Sequence, residues 1–222
     1  MTVTEDRRVI EKFLVLFVLI GGLTWGFREW ISPPFPRSGK VVMVFDGDTV
    51  QLDSGAKVRY LGVDAPEVDH ESGGLNSQCF GNEAWRINRR WVLGKIVRLE
   101  YETPFLDPYG RLLAYVYTKD GRFINLDLLL QGYAYVYRTP AGFSKLKEFL
   151  EAQRSAIHHK RGMWSACHVR PEPYYLGNCR NYVFHRPGCP FGRRIYARNR
   201  VVFKSRWDAF EAGYRPCRRC NP

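Results

Sequence analysis

The stretch FDGDTVQLDSGAKVRYLGVDAPE, residues 45–67, decides the fold of this chain. Apolar and polar residues alternate on both sides of the turn signal DSG, which predicts a hairpin of two short strands. Because side chains alternate along a strand, Asp48 shares one face with Val50 and Leu52. We therefore expect the two apolar residues to fill a barrel and the aspartate to lie at its mouth.

Similar short strands, separated by turn signals, continue on both sides of this hairpin. The further strand patterns are KVVMVF, KIVRLEYE and RLLAYVYT, and helical patterns fall in NEAWRINRRWVLG, in NLDLLLQG and over about residues 144–160. Five or so short strands with interspersed helices are typical of a small closed barrel such as the OB-fold. We predict an α+β fold in which residues 40–166 form a five-stranded OB-fold barrel with about three helices.

The positive charge of the chain is concentrated near its C-terminus. Lys and Arg number 34 against 22 Asp and Glu, a net charge of +12 over 222 residues. Residues 38–166 carry a net charge of only +2, whereas residues 176–222 hold 11 basic and 2 acidic residues. Such a surplus indicates a polyanionic partner, either nucleic acid or an anionic membrane surface, with plain solubility as the alternative. The asymmetry predicts a separate basic module over residues 176–222, after a linker over residues 167–175.

An apolar segment near the N-terminus predicts a membrane anchor. After a mixed-charge tail over residues 1–12, the run FLVLFVLIGGLTWGF and the residues up to Trp30 form the predicted anchor, residues 13–30. It is shorter than the ~20 apolar residues of a usual span, but its tryptophans suit an interface. A cleaved signal peptide and a buried helix of a soluble domain are the alternatives. Residues 31–39 form a proline-rich linker.

Acidic and basic residues at the predicted strand ends have a chemical explanation. Asp48 and Asp64 can converge on a hard cation such as calcium, which prefers oxygen ligands. Arg59 can bind a phosphate through its planar guanidinium group. Glu67 can take a proton from a water molecule. The pattern indicates metal-assisted attack on a phosphodiester; turn residues and surface ion pairs are the alternative.

Three blocks, DGDT, VRYLGVDAPE and DPYGRLLAYVY, resemble the successive signature blocks of the staphylococcal nuclease (thermonuclease) family. The resemblance runs from about Lys40 to Trp164 and implies an OB-type barrel with three helices and an endonuclease that cleaves DNA and RNA. It implies these roles: calcium binding by Asp48, Asp64 and the carbonyl of Ala65; catalysis by Arg59, Glu67 and Arg111; nucleic-acid contacts by Tyr109, Tyr135 and Tyr137. Pro108 departs from the pattern, because some members carry a lysine there.

A second constellation lies in the basic module. HRPGC, residues 185–189, and RPCRRC, residues 215–220, supply four potential metal ligands: His185, Cys189, Cys217 and Cys220. Imidazole and thiolates at this spacing favour tetrahedral zinc in a structural site. The alternative is that Cys217 and Cys220 oxidise, or that they pair with Cys179 and Cys189. Among Cys79, Cys167 and Cys179, two could pair if the domain lies outside the cytoplasm.

The module also resembles the zinc-binding domain of the Ada family of DNA repair proteins, in FHRPGC and in NRVVFKSRWDAFEAGYRPCRRCNP. In that family the first ligand is a cysteine that accepts a methyl group. His185 holds this place here, so we expect zinc and DNA contact without methyl transfer. The arginines expected to follow a phosphate backbone are Arg193, Arg194, Arg198, Arg200, Arg218 and Arg219. Binding of anionic lipid is their alternative role.

Together these features predict a membrane-anchored, calcium-dependent nuclease without sequence preference, whose zinc module adds affinity for DNA or RNA. We expect a monomer without an organic cofactor. The nuclease domain is expected outside the cytoplasm, and secreted if the N-terminal segment is cleaved. The alternative is a non-catalytic OB platform with a basic zinc tether.

Overall fold

The computed structural model describes residues 35–222. The predicted tail, the predicted anchor and the first part of the proline-rich linker lie outside the described residues. Within residues 35–222, no helix combines the length and the apolar character that crossing a membrane requires.

A closed five-stranded barrel forms the first part of the described chain. The strands are β1 (Ser38–Val44), β2 (Thr49–Leu52), β3 (Lys57–Tyr60), β4 (Val63–Asp64), β5 (Ile96–Leu106), β6 (Leu112–Thr118) and β7 (Tyr135–Val136). The barrel order is β1-β2-β3-β6-β5, while β4 and β7 pair separately. Val50 and Leu52 are fully buried, and Val58 pairs with Val50 across the hairpin. This part confirms the predicted α+β barrel.

Six α-helices lie within the described residues. They are α1 (Gly81–Val92), α2 (Ile124–Leu130), α3 (Leu146–His158), α4 (Met163–Ala166), α5 (Pro190–Arg193) and α6 (Arg206–Glu211). The first three occupy the predicted segments, and α4 adds one short turn. In α1 the apolar Ala84, Trp91 and Val92 face the core, as the helical periodicity predicts. Gly94, with φ of 75°, follows this helix in a conformation that suits glycine.

The C-terminal residues form a small four-stranded sheet. Its strands are β8 (Tyr175–Asn178), β9 (Val183–His185), β10 (Arg200–Phe203) and β11 (Arg215–Pro216), in the order β10-β8-β9-β11. Strand β11 runs parallel to β9, with Arg215 opposite Val183 and Pro216 opposite Phe184. This pairing places the segment 217–220 beside the end of β9.

The sheet packs directly against the helices of the barrel domain. Trp164 contacts Phe210 with ring centroids 4.8 Å apart, and Tyr135 contacts the same ring at 5.9 Å. Buried Gln153 accepts a hydrogen bond from Val136 N–H at 2.7 Å and donates one to the Phe210 carbonyl at 2.5 Å. The C-terminal module therefore shares a core with the barrel domain, since so short a segment buries too little apolar surface alone.

A disulfide joins Cys79, just before α1, to Cys167, just after α4, with Cα atoms 5.8 Å apart. Cys179 is an exposed free thiol. The chain therefore adopts one of the pairings that the sequence left open.

Candidate active site and candidate zinc centre

A cleft of about 750 Å³ lies at the barrel mouth, between the barrel and the C-terminal sheet. Among its lining residues are four acidic side chains and four arginines: Asp46, Asp48, Glu67, Asp107, Arg59, Arg111, Arg215 and Arg218. Buried Asp64, which pairs with Arg59 and Arg218, adds a fifth acid, so without a cation the acids outnumber the arginines by one. A bound divalent cation would reverse the sign and leave the cleft attractive to a phosphate.

Two carboxylates form the floor of the site. Asp48 is 3% exposed and Asp64, in β4, is 1% exposed. Asp48 Oδ2 accepts the Ala65 N–H at 2.5 Å, which joins the two strand ends. Burial raises the pKa of Asp48 well above its usual range; Arg59 opposes this shift, and the carboxylates of Asp46 and Asp64 add to it. Buried acids that repel each other raise each other's pKa, and a cation bound between them would remove this repulsion.

The buried Asp64 also carries an unused ligand atom. Among the described residues, its Oδ2 has no hydrogen-bond partner, while its Oδ1 pairs with Arg59 Nη2 at 2.6 Å. A buried carboxylate oxygen without a partner is costly, and a metal ion would satisfy it. The carboxylate oxygens of Asp48 and Asp64 fit a hard cation such as calcium. The predicted third ligand, the Ala65 carbonyl, belongs to the residue whose N–H donates to Asp48.

Gly47 explains why the two acids of the DGD sequence flank a glycine. A Cβ atom at this position would lie 2.5 Å from Ala65 Cβ and 2.9 Å from Ala84 Cβ. Only glycine lets the loop before β2 pack between the β4 end and helix α1. The close approach sets Asp48 against Ala65.

The two predicted phosphate-binding arginines occupy neighbouring strands. Arg59 of β3 is 9% exposed and forms ion pairs with both Asp48 and Asp64. Arg111 precedes β6, which pairs in parallel with β3. Its Nε donates a hydrogen bond to Asp107 Oδ2 at 2.7 Å. Asp107 therefore orients Arg111, a role that the sequence alone did not reveal. Both guanidinium groups line the same cleft.

Glu67 lies in the loop after β4, with a side chain 47% exposed. Burial raises its pKa above the usual range, Arg218 opposes this, and Asp46 and Asp64 raise it further. Gln78 forms two hydrogen bonds with the backbone of Glu67. Gln78 Oε1 accepts the Glu67 N–H at 3.1 Å, and Gln78 N–H donates to the Glu67 carbonyl at 3.0 Å. A held, accessible carboxylate with a raised pKa suits a general base.

The three predicted tyrosines lie in different surroundings. Tyr109 is 85% exposed at the cleft edge, and Tyr137 lines the cleft beneath the guanidinium of Arg215, 4.6 Å from its ring. Tyr135 is 7% exposed within the shared core. This position does not suit the predicted contact with nucleic acid, because the ring is covered by Phe210 and the C-terminal sheet.

The sequence reasoning missed where Arg218 would lie. Its Nη2 is 2.9 Å from Glu67 Oε1 and 3.3 Å from Asp64 Oδ1. The other predicted arginines of the module are exposed on its surface: Arg193, Arg194, Arg198, Arg200 and Arg219. No local pattern could have revealed this difference, since it follows from how the sheet docks on the barrel.

The predicted zinc ligands converge. The ligand atoms of His185, Cys189, Cys217 and Cys220 lie within 4.8 Å of one another. Cys189 Sγ and His185 Nδ1 are 3.5 Å apart, close to the edge of a tetrahedron with Zn–S of about 2.3 Å and Zn–N of about 2.0 Å. Burial, followed by Arg215, lowers the pKa of His185, which favours the neutral form that binds metal. The three cysteines are free thiols, so the donor set fits zinc.

Comparisons with known proteins agree with this geometry. The staphylococcal nuclease homologue family model matches residues 57–166, and the metal-binding domain of Ada matches residues 170–222. Thermonuclease of Staphylococcus intermedius is 34% identical over 170 residues, which cover 71% of this chain and 98% of the relative. Thermonuclease of Staphylococcus hyicus is 34% identical over 146 residues, 60% of this chain and 85% of the relative.

Endonuclease YhcR of Bacillus subtilis is 29% identical over 215 residues, which cover 85% of this chain and 18% of that protein. This chain belongs to the staphylococcal nuclease family and is a phosphodiester-hydrolysing nuclease. An Ada-type metal-binding domain follows its nuclease domain.

Proposed function

We propose that the chain is a calcium-dependent endonuclease that cleaves DNA and RNA with little sequence preference. One observation carries this proposal: two buried aspartates, Asp48 and Asp64, meet at the barrel mouth on the guanidinium of Arg59. Two arginines and a half-exposed glutamate surround them. These groups are what a phosphodiester hydrolysis needs.

Asp48, Asp64 and the carbonyl of Ala65 would hold the calcium ion. Bound there, calcium supplies Lewis-acid stabilisation of the phosphoryl oxygens and orientation of the attacking water. Calcium would also relieve the repulsion between the buried carboxylates, which Arg59 now offsets at both acids and Arg218 at Asp64. Arg59 would then become available to the substrate.

The remaining chemistry falls to three side chains. Glu67 takes a proton from the water whose oxygen bonds to phosphorus, as the bond from phosphorus to the 5′-oxygen breaks. The leaving oxygen takes its proton from solvent. Arg59 and Arg111 stabilise the charge that accumulates on the phosphoryl oxygens, since preformed donors in a water-poor site are effective there.

The cleft favours recognition of the nucleic-acid backbone. Its charged groups suit phosphates. Contacts with phosphate do not distinguish one base from another. Tyr109 and Tyr137 offer rings on which a flanking base can stack. The zinc module, with its exposed arginines, would add salt-dependent affinity. Low sequence preference follows.

We also propose that the nuclease acts outside the cytoplasm, held by the N-terminal segment at a membrane. The Cys79–Cys167 disulfide supports this location, because such bonds persist in oxidising compartments. Thiol labelling of the protein in intact cells tests it. Labelling of both cysteines without added reductant would contradict it.

Cleavage of end-labelled single- and double-stranded DNA by the purified full-length protein tests the proposed activity. We expect cutting with calcium and none with EGTA. Glu67→Gln should cut at least about 10³-fold more slowly, while Glu151→Gln, an exposed glutamate on α3, serves as the control. DNA binding without calcium-dependent cutting would favour the non-catalytic platform.

A further inference from the structure

The zinc-binding segment of the module reaches the active site through one side chain. Arg218 lies between the candidate zinc ligands Cys217 and Cys220. Its guanidinium Nη2 contacts Glu67 Oε1 at 2.9 Å and Asp64 Oδ1 at 3.3 Å. The segment 217–220, called here the zinc knuckle, thus touches both the proposed base and a proposed calcium ligand, 154 residues away in sequence from the latter.

The position of the zinc knuckle is well supported. Cys217 N–H donates to the Phe184 carbonyl at 2.9 Å, and Arg215 N–H donates to the Tyr182 carbonyl at 2.8 Å. The Arg215 guanidinium lies over the Tyr137 ring of the barrel domain. Arg218 is therefore positioned at the cleft by these backbone and ring contacts and by the shared core, in addition to its own ion pairs.

The charges that line the cleft indicate what Arg218 could bind. Half of the four arginines that line it, Arg215 and Arg218, come from the zinc module. Calcium at Asp48 and Asp64 would reduce the need of these carboxylates for guanidinium partners. Arginine side chains so released are free to bind an anion.

We propose that Arg218 is a third phosphate-binding arginine of the nuclease site, delivered by the zinc knuckle. The inference rests on the proposed nuclease function and extends its site to a second domain. A guanidinium has five donors in a planar fork that matches a phosphate. Both observed contacts use Nη2, and the side chain is 58% exposed, so the group is accessible to a substrate in the cleft.

The competing possibility is that Arg218 blocks the site of the metal-free enzyme. An arginine that only neutralised Glu67 and Asp64 would hinder calcium and water, and its removal would speed cleavage. A phosphate-binding arginine has the opposite effect, because its loss weakens the hold on the substrate. The direction of the change therefore separates the two.

The experiment compares Arg218→Ala and Arg218→Lys with Arg180→Ala, which removes an exposed arginine of the same module. Zinc content and melting temperature are measured first, to establish that all variants keep the module folded. Affinity for a fluorescent single-stranded oligonucleotide, with phosphorothioate linkages to slow cleavage, is then measured with calcium over a range of salt concentrations. Finally kcat/KM for cleavage is measured with calcium.

We expect Arg218→Ala to bind the oligonucleotide at least about threefold more weakly, with a salt slope smaller by about one. Its kcat/KM should fall by about 10- to 100-fold. Arg218→Lys should restore the salt slope but only part of the rate, because lysine lacks the fork. Behaviour of Arg218→Ala like that of Arg180→Ala would overturn the proposal, as would faster cleavage.

The two proposals fail differently. If the wild-type protein binds but does not cut, the proposed function fails, while the oligonucleotide arm still decides whether Arg218 contacts phosphate. If the wild type cuts and Arg218→Ala is unaffected in both assays, only the present inference fails.

Discussion

The two walls of the cleft are built by different means. The barrel wall carries Asp48, Arg59 and Asp64, which come from consecutive strands within 17 residues of sequence. The opposite wall carries Arg215 and Arg218, which reach the cleft only because a separate sheet packs on the barrel. The barrel wall can therefore be recognised as a motif, whereas the zinc-module wall exists only in the folded assembly. Substitutions in the two walls should therefore differ in how strongly they reduce cleavage and stability.

The largest effect should come from the barrel wall. Arg59→Ala leaves buried Asp48 without its cation and Asp64 with only the 3.3 Å contact of Arg218. Cleavage should therefore fall at least about 10³-fold, and unfolding in EGTA should become easier by about 3–5 kcal/mol. Calcium should restore the melting temperature but not the activity. Thermal unfolding and cleavage assays check this, with Arg90→Ala on the exposed face of α1 as the control. Restored activity in calcium would exclude Arg59 from catalysis.

The shared core offers the next test. Phe210 is 2% exposed and contacts the rings of Tyr135 and Trp164 in the barrel domain and of Phe184 in the C-terminal sheet. Phe210→Ala should therefore destabilise the protein by about 3–5 kcal/mol. Because the core is shared, the wild type should unfold in one transition. Calorimetry that resolves two independent transitions would show that the module is the tether that the sequence alone suggested.

Removal of zinc should reduce cleavage although zinc does not touch the substrate. Cys220→Ser should release the zinc knuckle, and kcat/KM should fall about 10- to 100-fold, to the level of Arg218→Ala, because both changes remove the same contact. Cys179→Ser, at an exposed free thiol, is the matched control. Full activity of a zinc-free protein in calcium would separate the module from the active site.

The smallest effect should come from the support of the base. Gln78→Ala removes the side-chain acceptor for the Glu67 N–H, which should cost about 0.5–1.5 kcal/mol and slow cleavage a few-fold. Gln131→Ala, at an exposed glutamine after α2, is the control. An unchanged rate at reduced stability would show that Gln78 supports the fold alone.

The parts of the molecule that sequence patterns predicted are those with local causes. The alternation in residues 49–60 produces a buried hairpin. The short spacings within residues 185–189 and 217–220 identify the four zinc ligands, which the pairing of β11 with β9 brings together. The role of Gly47 could not be predicted from a turn propensity, since it depends on a helix 37 residues later. The surroundings of Tyr135 and Arg218 could not be predicted either, because both depend on how the C-terminal sheet packs on the barrel. This packing buries Tyr135 and places Arg218 beside Glu67 and Asp64.

The most direct test is a crystal structure of the full chain with calcium, zinc and a bound oligonucleotide, using the Glu67→Gln variant to prevent cutting. We predict calcium on Asp48 and Asp64, zinc on His185 and the three cysteines, and Arg218 within hydrogen-bond distance of a phosphate oxygen. Calcium held elsewhere, or a zinc module displaced from the cleft, would contradict a catalytic site built by both domains.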